Sequence, residues 1–249
     1  MTPEAVPSPA GGGLLPPDWR PDREAVRHRE RPDREVVRNR ERPPSTRTPR
    51  PRTPPPRPGR FRLRDGTQVV LRPLRVEDRD LVVAAFDRLS PRSRYRRFLS
   101  PTPRLTSSLL DFLMDVDDAD HFALVALTDE GGTPTVVGIS RAVRLADPRA
   151  AEAAVTVIDD YQGRGAGAFL LDAIVLAARE RGIERFEGLV LAENEASKAI
   201  LAHAGARFEN DGGGVLRYVL DLPEGPDDLP GHPVRHILRA FAAKLHRTT

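Results

Sequence analysis

Cysteine is absent from this chain of 249 residues. That removes disulfide bonds, a thiolate nucleophile and every cysteine-held zinc or iron–sulfur site from consideration. No run approaches the ~18 apolar residues that a membrane-spanning helix needs, so no transmembrane segment is expected. The opening MTPEAVPSPAGGGLLPPDW has neither a basic start nor a long apolar stretch. It does not read as a secretory signal, and the expected compartment is the cytoplasm. A Walker A loop is excluded because its Gly-Lys-Ser/Thr ending is missing. Positive charge is also missing where a compact nucleic-acid-binding domain would need it. Residues 1–60 hold 15 of the 25 prolines and 14 arginines against 8 acids, whereas residues 61–249 carry 25 basic and 28 acidic residues. The basic character belongs to the N-terminal segment, not to a folded cleft.

What is present divides the chain into four parts. Residues 1–60 read as a disordered, Pro- and Arg-rich basic tail. It contains an 11-residue near-repeat, RPDREAVRHRE then RPDREVVRNRE, followed by PPSTRTPRPRTPPPRPG. Such a tail supports at most weak, salt-sensitive contact with nucleic acid or an acidic partner. Residues 61–222 read as the ordered domain and 223–232 as a linker. Residues 233–247 read as an amphipathic helix whose apolar face (Val234, Ile237, Leu238, Phe241, Leu245) packs on the domain or on a second copy in a homodimer.

Within the domain, Thr67–Pro73 reads as a strand and Val76–Leu89 as a helix, with Leu81, Val82, Ala85, Phe86 and Leu89 at helical spacing. Leu105–Met114 is a second helix, capped by Thr106 or Ser107. Strands follow at Phe122–Thr128, Thr135–Val143 and Glu152–Ile158, joined by short turns, which favours an antiparallel meander. The period then changes. Gly167–Arg181 is a long apolar helix closed by Gly182, and Phe186–Leu191 is the next strand, parallel to the one before the helix. A short helix at Glu195–Ala204 and a strand at Val215–Leu222 complete the reading. The fold class is mixed α/β, an antiparallel meander followed by a parallel strand–helix–strand unit.

The most informative stretch is VIDDYQGRGAG, Val157–Gly167. A strand ends, and alternating glycines open the long helix. Glycine lets successive N–H groups converge on one point, the helix start adds unpaired donors and a positive dipole end, and Arg164 adds a cation. These groups describe a pyrophosphate cradle. A dinucleotide loop competes, since Gly163, Gly165 and Ala168 fit Gly-x-Gly-x-x-Ala and Glu193 could meet a ribose. The antiparallel meander and the 56 residues remaining after Glu193 argue against a doubly wound sheet.

Gln162-x-x-Gly165-x-Gly167 also resembles the coenzyme A loop of the GNAT N-acetyltransferases, and the likeness spans roughly Phe61–Leu222. AENEASKAI with Asn194, followed by AGARF, resembles that family's second coenzyme-binding segment. Here Gly205 is not followed directly by the aromatic residue. LSPRSRYRRFLSPTPRL, Leu89–Leu105, resembles bacterial Pat-like protein lysine acetyltransferases through Ser90, Ser93, Tyr95, Arg97 and Phe98. The nucleotide-binding or acyl-CoA synthetase-like regions that often accompany those enzymes find no room in this chain.

The resemblance implies a GNAT-like mixed sheet, acetyl-CoA as acyl donor and a primary amine as acceptor, a protein lysine being the suggested one. It implies that Val157 and Ile158, after a bulge in the third meander strand, offer N–H groups to the thioester oxygen. Gln162, Gly163, Arg164, Gly165, Ala166 and Gly167 hold the pyrophosphate, and Asn194 holds the pantetheine arm or nearby backbone. Glu152, among small apolar neighbours, is the expected general base, its pKa raised by burial. Tyr218 is a candidate proton donor to the leaving thiolate, with packing in the sheet as the favoured reading. Tyr95 and Arg97 line the acceptor side. Asp159 and Asp160 are expected to face substrate cations or solvent, Tyr161 to pack the loop, and His121 and His203 to be ordinary surface or packing residues. Two other classes stay open: a non-catalytic acyl-CoA-binding regulatory module, and a nicotinamide-dependent oxidoreductase.

Overall fold

The computed structural model describes residues 59–102 and 104–224. The expected basic tail up to residue 58 and the expected C-terminal helix at 233–247 lie outside the described residues, as does most of the expected linker. The elements run in the order β1 (Gly59–Arg62), β2 (Gln68–Pro73), α1 (Arg79–Asp87), α2 (Pro91–Phe98), α3 (Ser107–Met114), β3 (His121–Glu130), β4 (Thr133–Arg144) and β5 (Ala150–Val157). They continue with α4 (Ala166–Arg179), β6 (Arg185–Leu191), α5 (Glu195–His203), β7 (Arg207–Gly212) and β8 (Val215–Asp221). One eight-stranded sheet holds them in the order β1-β2-β3-β4-β5-β6-β8-β7. Every neighbouring pair is antiparallel except β5 with β6. A sheet with a single parallel pair is not doubly wound, and the dinucleotide-fold alternative falls with it.

Helix α4 carries its apolar residues around most of its circumference because it lies flat on the sheet. Phe169, Leu170, Ala173, Ile174 and Ala177 are all buried, and the helix packs on β3, β4 and β5. Its end follows from Gly182, where φ is +72°, and Ile183 N–H closes back onto Ala178 O. Phe61 of β1 stacks on Phe169 of α4, which brings the β1–β2 turn to the start of that helix. The opposite sheet face is covered by α1, α2 and α3. A bidentate pair between Arg72 and Asp78, 2.6 Å at both contacts, pins the turn that precedes α1.

Three elements escaped the periodicity. Helix α2, PRSRYRRF, has only two apolar residues in eight, so no stripe is visible. Its signals are local: Ser90 Oγ accepts from Ser93 N–H, Pro91 occupies the first turn, and Leu99 stops the helix in the left-handed region. Strands β1 and β7 are sheet-edge strands with little burial, which leaves no alternation to read.

Buried His121 of β3 shows how the interior treats charge. Its Nε2 lies 2.8 Å from Nη1 of buried Arg141. A guanidinium only donates, so the imidazole accepts there and must be neutral. Burial, followed by the Arg141 charge, lowers its pKa to about 4. Because the folded value lies below the ordinary 6.5, the unfolded chain binds the proton more readily between those values. Stability is therefore full above pH ~6.5 and falls toward pH ~4, by up to about 3 kcal/mol from this group. Urea unfolding between pH 4 and 7.5 is expected to show that slope. In His121→Gln, whose amide oxygen still accepts from Arg141, the slope should flatten.

Candidate active site

The site is built on the edge of β5. This strand pairs with β4 along its whole length but with β6 only at Ala150↔Arg185 and Ala151↔Phe186. Beyond Ala151 the two parallel strands part. Ile158 N–H donates to Val137 O of β4 at 3.1 Å. By strand alternation, Val155 and Val157 aim their N–H and C=O groups the other way, into the gap. Two observations agree: Tyr218 Oη donates to Ala153 O at 3.0 Å, and Gln162 Nε2 donates to Val157 O at 3.0 Å. Ile158 is thus removed from the expected oxyanion pair, its N–H being spent on the ladder, and Val155 joins Val157 instead. The β4–β5 ladder carries no bulge. The irregularity lies in the β3–β4 pairing, where Val137 is left without a partner.

The gap opens toward the expected loop. Gly163 (φ +73°) and Gly165 (φ +91°) both take the left-handed conformation, and Gly165 caps α4. Ala166 is the buried first residue of that helix. Gly167 has a different task. A Cβ there would lie 3.1 Å from Ile200 Cδ1, so the third glycine lets α4 and α5 approach. Arg164 donates to Asp65 at 2.7 Å and lies over the Tyr161 ring. A residue that sequence reasoning missed, Arg64, crosses the same turn. Its N–H donates to Arg164 O, and a Cβ on Gly165 would sit 3.3 Å from Arg64 Nε. Nothing in the glycine loop signals a cation 100 positions earlier; the stacking of Phe61 on α4 brings it there.

Of the two acids beside the loop, Asp159 is structural, contrary to expectation, while Asp160 is exposed to solvent as well as ion-paired. Asp159 accepts from Ser90 N–H, Ser90 Oγ and Ser93 Oγ, and Ser93 Oγ in turn accepts from Gln162 Nε2 at 3.2 Å. Asp160 accepts from Arg88, which also grips Glu130, and Tyr161 Oη donates to Glu130 at 2.6 Å. These bonds tie the start of α2 to the loop. Asn194 is nearly buried and caps α5, its amide bonded to Ser197.

Glu152 lies on the α1–α3 face of β5, opposite Val143 of β4. Its charge reaches both Arg97 and Tyr218. Tyr218 is buried on β8 and reaches across β6 over Gly188, where a Cβ would lie 2.9 Å from its ring. Burial, then the nearby Glu152 carboxylate, pushes the phenol well above its ordinary range. With its proton engaged at Ala153 O, Tyr218 is a brace between the separating strands. On the same face as Glu152 opens a small, largely apolar cleft of about 50 Å³. Its floor is Ile139, Arg141, Ala154, Thr156 and Ile158, and its roof includes Phe86, Leu89, Arg97 and Phe98. Arg97 is where the acceptor side was expected, whereas Tyr95 points largely to solvent. Among the described residues no group of His, Asp or Glu could hold a metal ion.

A left-handed glycine loop at a helix start is the arrangement the sequence resemblance implied. Residues 68–207 match the family described as the acetyltransferase (GNAT) domain. This chain belongs to the GNAT acetyltransferases. It is 38% identical over 157 residues to an acetyltransferase of Pseudomonas aeruginosa, covering 62% of this chain and 84% of that one. It is 37% identical over 172 residues to the acetyltransferase Pat of Mycolicibacterium smegmatis, covering 69% of this chain but only 50% of the relative. Among solved structures, the GNAT domain of S. lividans PAT superposes with a TM-score of 0.61 at 33% identity, covering 66% of this chain and 97% of that domain. As a GNAT acetyltransferase it is an enzyme of acyl transfer, and the reading as a nicotinamide-dependent oxidoreductase is set aside.

The brace gives a direct test of this geometry. Tyr218→Phe removes one hydrogen bond and is expected to cost about 1 kcal/mol. Gly188→Ala drives a methyl into the ring and should cost about 1–3 kcal/mol. Urea unfolding of the two variants checks the order; equal or reversed losses would show that the ring does not rest on Gly188.

Proposed function

We propose that this domain transfers the acetyl group of acetyl-CoA to a primary amine by direct attack, without a covalent enzyme intermediate. The observation that carries the proposal is the parting of β5 from β6 beside the α4 start, with Val155 and Val157 N–H groups facing the gap. In this reading the pyrophosphate rests on the N–H groups of Gly163–Ala166, with Arg164 and Arg64 as flanking cations. Gln162 serves by holding Val157 O and Ser93, and Asn194 by fixing the start of α5. The pantetheine arm takes the place along β5 that a paired β6 would otherwise fill.

The chemistry then needs two things from the protein. The thioester oxygen gains negative charge as the amine attacks, and the β5 N–H groups facing the gap stabilise it. The amine must be neutral to attack, and Glu152, on the face where the acceptor cleft opens, takes its proton. The C–N bond forms, the C–S bond breaks, and coenzyme A leaves as the thiolate. Tyr218 supports the strand edge in this scheme, and the departing thiolate takes its proton from solvent.

Similarity to proteins named Pat supports a protein lysine as the first acceptor to try, and the cytoplasm is the proposed compartment. Among the described residues no helix is long and apolar enough to cross a membrane. Two further readings concern segments outside the described residues: 233–247 as a homodimer contact, and the basic N-terminal segment as a weak nucleic-acid contact. The net acidity of the chain from residue 61 onward favours a cationic acceptor surface.

Calorimetric titration with acetyl-CoA, and with NADH as control, is expected to show binding of the first alone. Glu152→Gln should then lower kcat by about 10²–10⁴ at unchanged acetyl-CoA affinity. Acetyl-CoA binding without any turnover would favour the regulatory-module reading. Full activity in Glu152→Gln would remove that residue as the base.

A further inference from the structure

The mechanism above uses Glu152 and the β5 edge but finds no task for two arginines that line the acceptor cleft. Arg141 projects from β4 and is 3% exposed. Its Nη1 contacts His121 Nε2 and its Nη2 donates to Leu113 O at 3.0 Å, so both partners are neutral. Arg97 enters from α2 and opens into the cleft; its guanidinium lies 4.9 Å from the centroid of the Phe98 ring, and among the described residues no hydrogen bond or salt bridge engages it. The two guanidinium charges repel each other, and Glu152 is the acid whose charge reaches Arg97. Burial lowers Arg97 to about 10 and Arg141 to about 9, so both remain charged at neutral pH.

Two cations facing one apolar cavity, with one carboxylate nearby, leave an excess positive charge in a region of low dielectric. Such a charge is costly unless a partner meets it, and the planar guanidinium fork fits a carboxylate best. Elsewhere in this protein exposed arginines find acids readily, as Arg88 does with Glu130 and Asp160. Among the described residues neither cleft guanidinium is bonded to an acid, so both are placed to meet a carboxylate that enters the cleft.

We propose that Arg97, backed by Arg141, forms a carboxylate-binding subsite in the acceptor cleft beside Glu152, so that one of the two reactants carries a carboxylate. The inference rests on the acyl-transfer reading and changes its substrate class, since neither an acetyl group nor a lysine side chain carries a carboxylate. The carboxylate comes either with the amine, as in an α-amino acid, or with the acyl group, as in the acid-terminated chain of a dicarboxylic thioester. In both cases the transfer itself is unchanged. The amine nitrogen bonds to the thioester carbon, the C–S bond breaks, and the amine proton is passed on through Glu152. The carboxylate is bound and not consumed.

The test follows coenzyme A release by the full chain in two arms. In the first, acetyl-CoA is paired with phenylalanine or phenethylamine, and with leucine or isoamylamine. In the second, phenethylamine is paired with succinyl-CoA or butyryl-CoA. One arm is expected to favour the carboxylate-bearing reactant by at least about tenfold in kcat/KM, the value of one charged hydrogen-bonded contact. Arg97→Gln should erase that preference, Arg97→Lys should retain part of it, and both should bind acetyl-CoA as the parent does. Thermal unfolding of each variant reports whether the fold survives the change. Equal or better use of the neutral reactant in both arms would overturn the subsite, as would a preference that survives Arg97→Gln. So would a protein that binds acetyl-CoA yet turns over no carboxylate-bearing reactant. Failure to bind acetyl-CoA at all would instead sink the acetyltransferase reading from which the subsite was drawn.

Discussion

Everything about this domain's chemistry depends on two parallel strands that stay paired for only two residues. After Ala151, β5 and β6 separate, and the sheet exposes a strand edge in its own middle. An edge left open in this way would ordinarily be a liability, because its N–H and C=O groups invite another strand. Here the edge is managed locally. Gln162 takes the carbonyl of Val157, and Tyr218, lying over Gly188, takes that of Ala153. The acceptor groups are thereby occupied by side chains, while the N–H groups of Val155 and Val157 face the gap, the polarity that an acyl oxygen requires.

The second layer of organisation is electrostatic. Acids near the loop would weaken an anion site, and the structure removes them from it by giving each a partner. Asp159 is bonded to Ser90 and Ser93, and Asp160 and Glu130 share Arg88. Glu130 is held well down, to about 2, first by Arg88 and then by the Tyr161 hydroxyl. The same contacts fasten α2 to the loop, so the helix that carries Arg97 into the cleft is positioned by the segment that carries Gln162. Donor side and acceptor side are mechanically one unit.

Much of the fold was legible beforehand, and the reason lies in which elements are buried. Helix α4, β3, β4 and β8 have apolar patterns because each faces the core on at least one side. Helix α2, β1 and β7 do not, and periodicity is silent about them. The site was legible in a different measure. Gly163 and Gly165 stand out because left-handed backbone at a helix start needs glycine. Ile158 against Val155 was invisible, since which N–H groups face the gap is a matter of strand register. Tyr218 as a brace was equally hidden: its partner is two strands away in the sheet.

By itself the sequence determined the mixed α/β class, the glycine loop at the head of the long helix and the family. The class and the loop follow from local spacing and residue type, and the family from the resemblance of that loop to a known one. The tertiary structure alone decided that Asp159 is an anchor and not a substrate ligand, that Arg64 reaches Gly165, and that Arg97 and Arg141 line one cleft on the sheet face that carries Glu152. These depend on which faces of the sheet strands present and on how far two strands diverge. Both are set by the packing of the whole domain and are written in no single stretch of the chain.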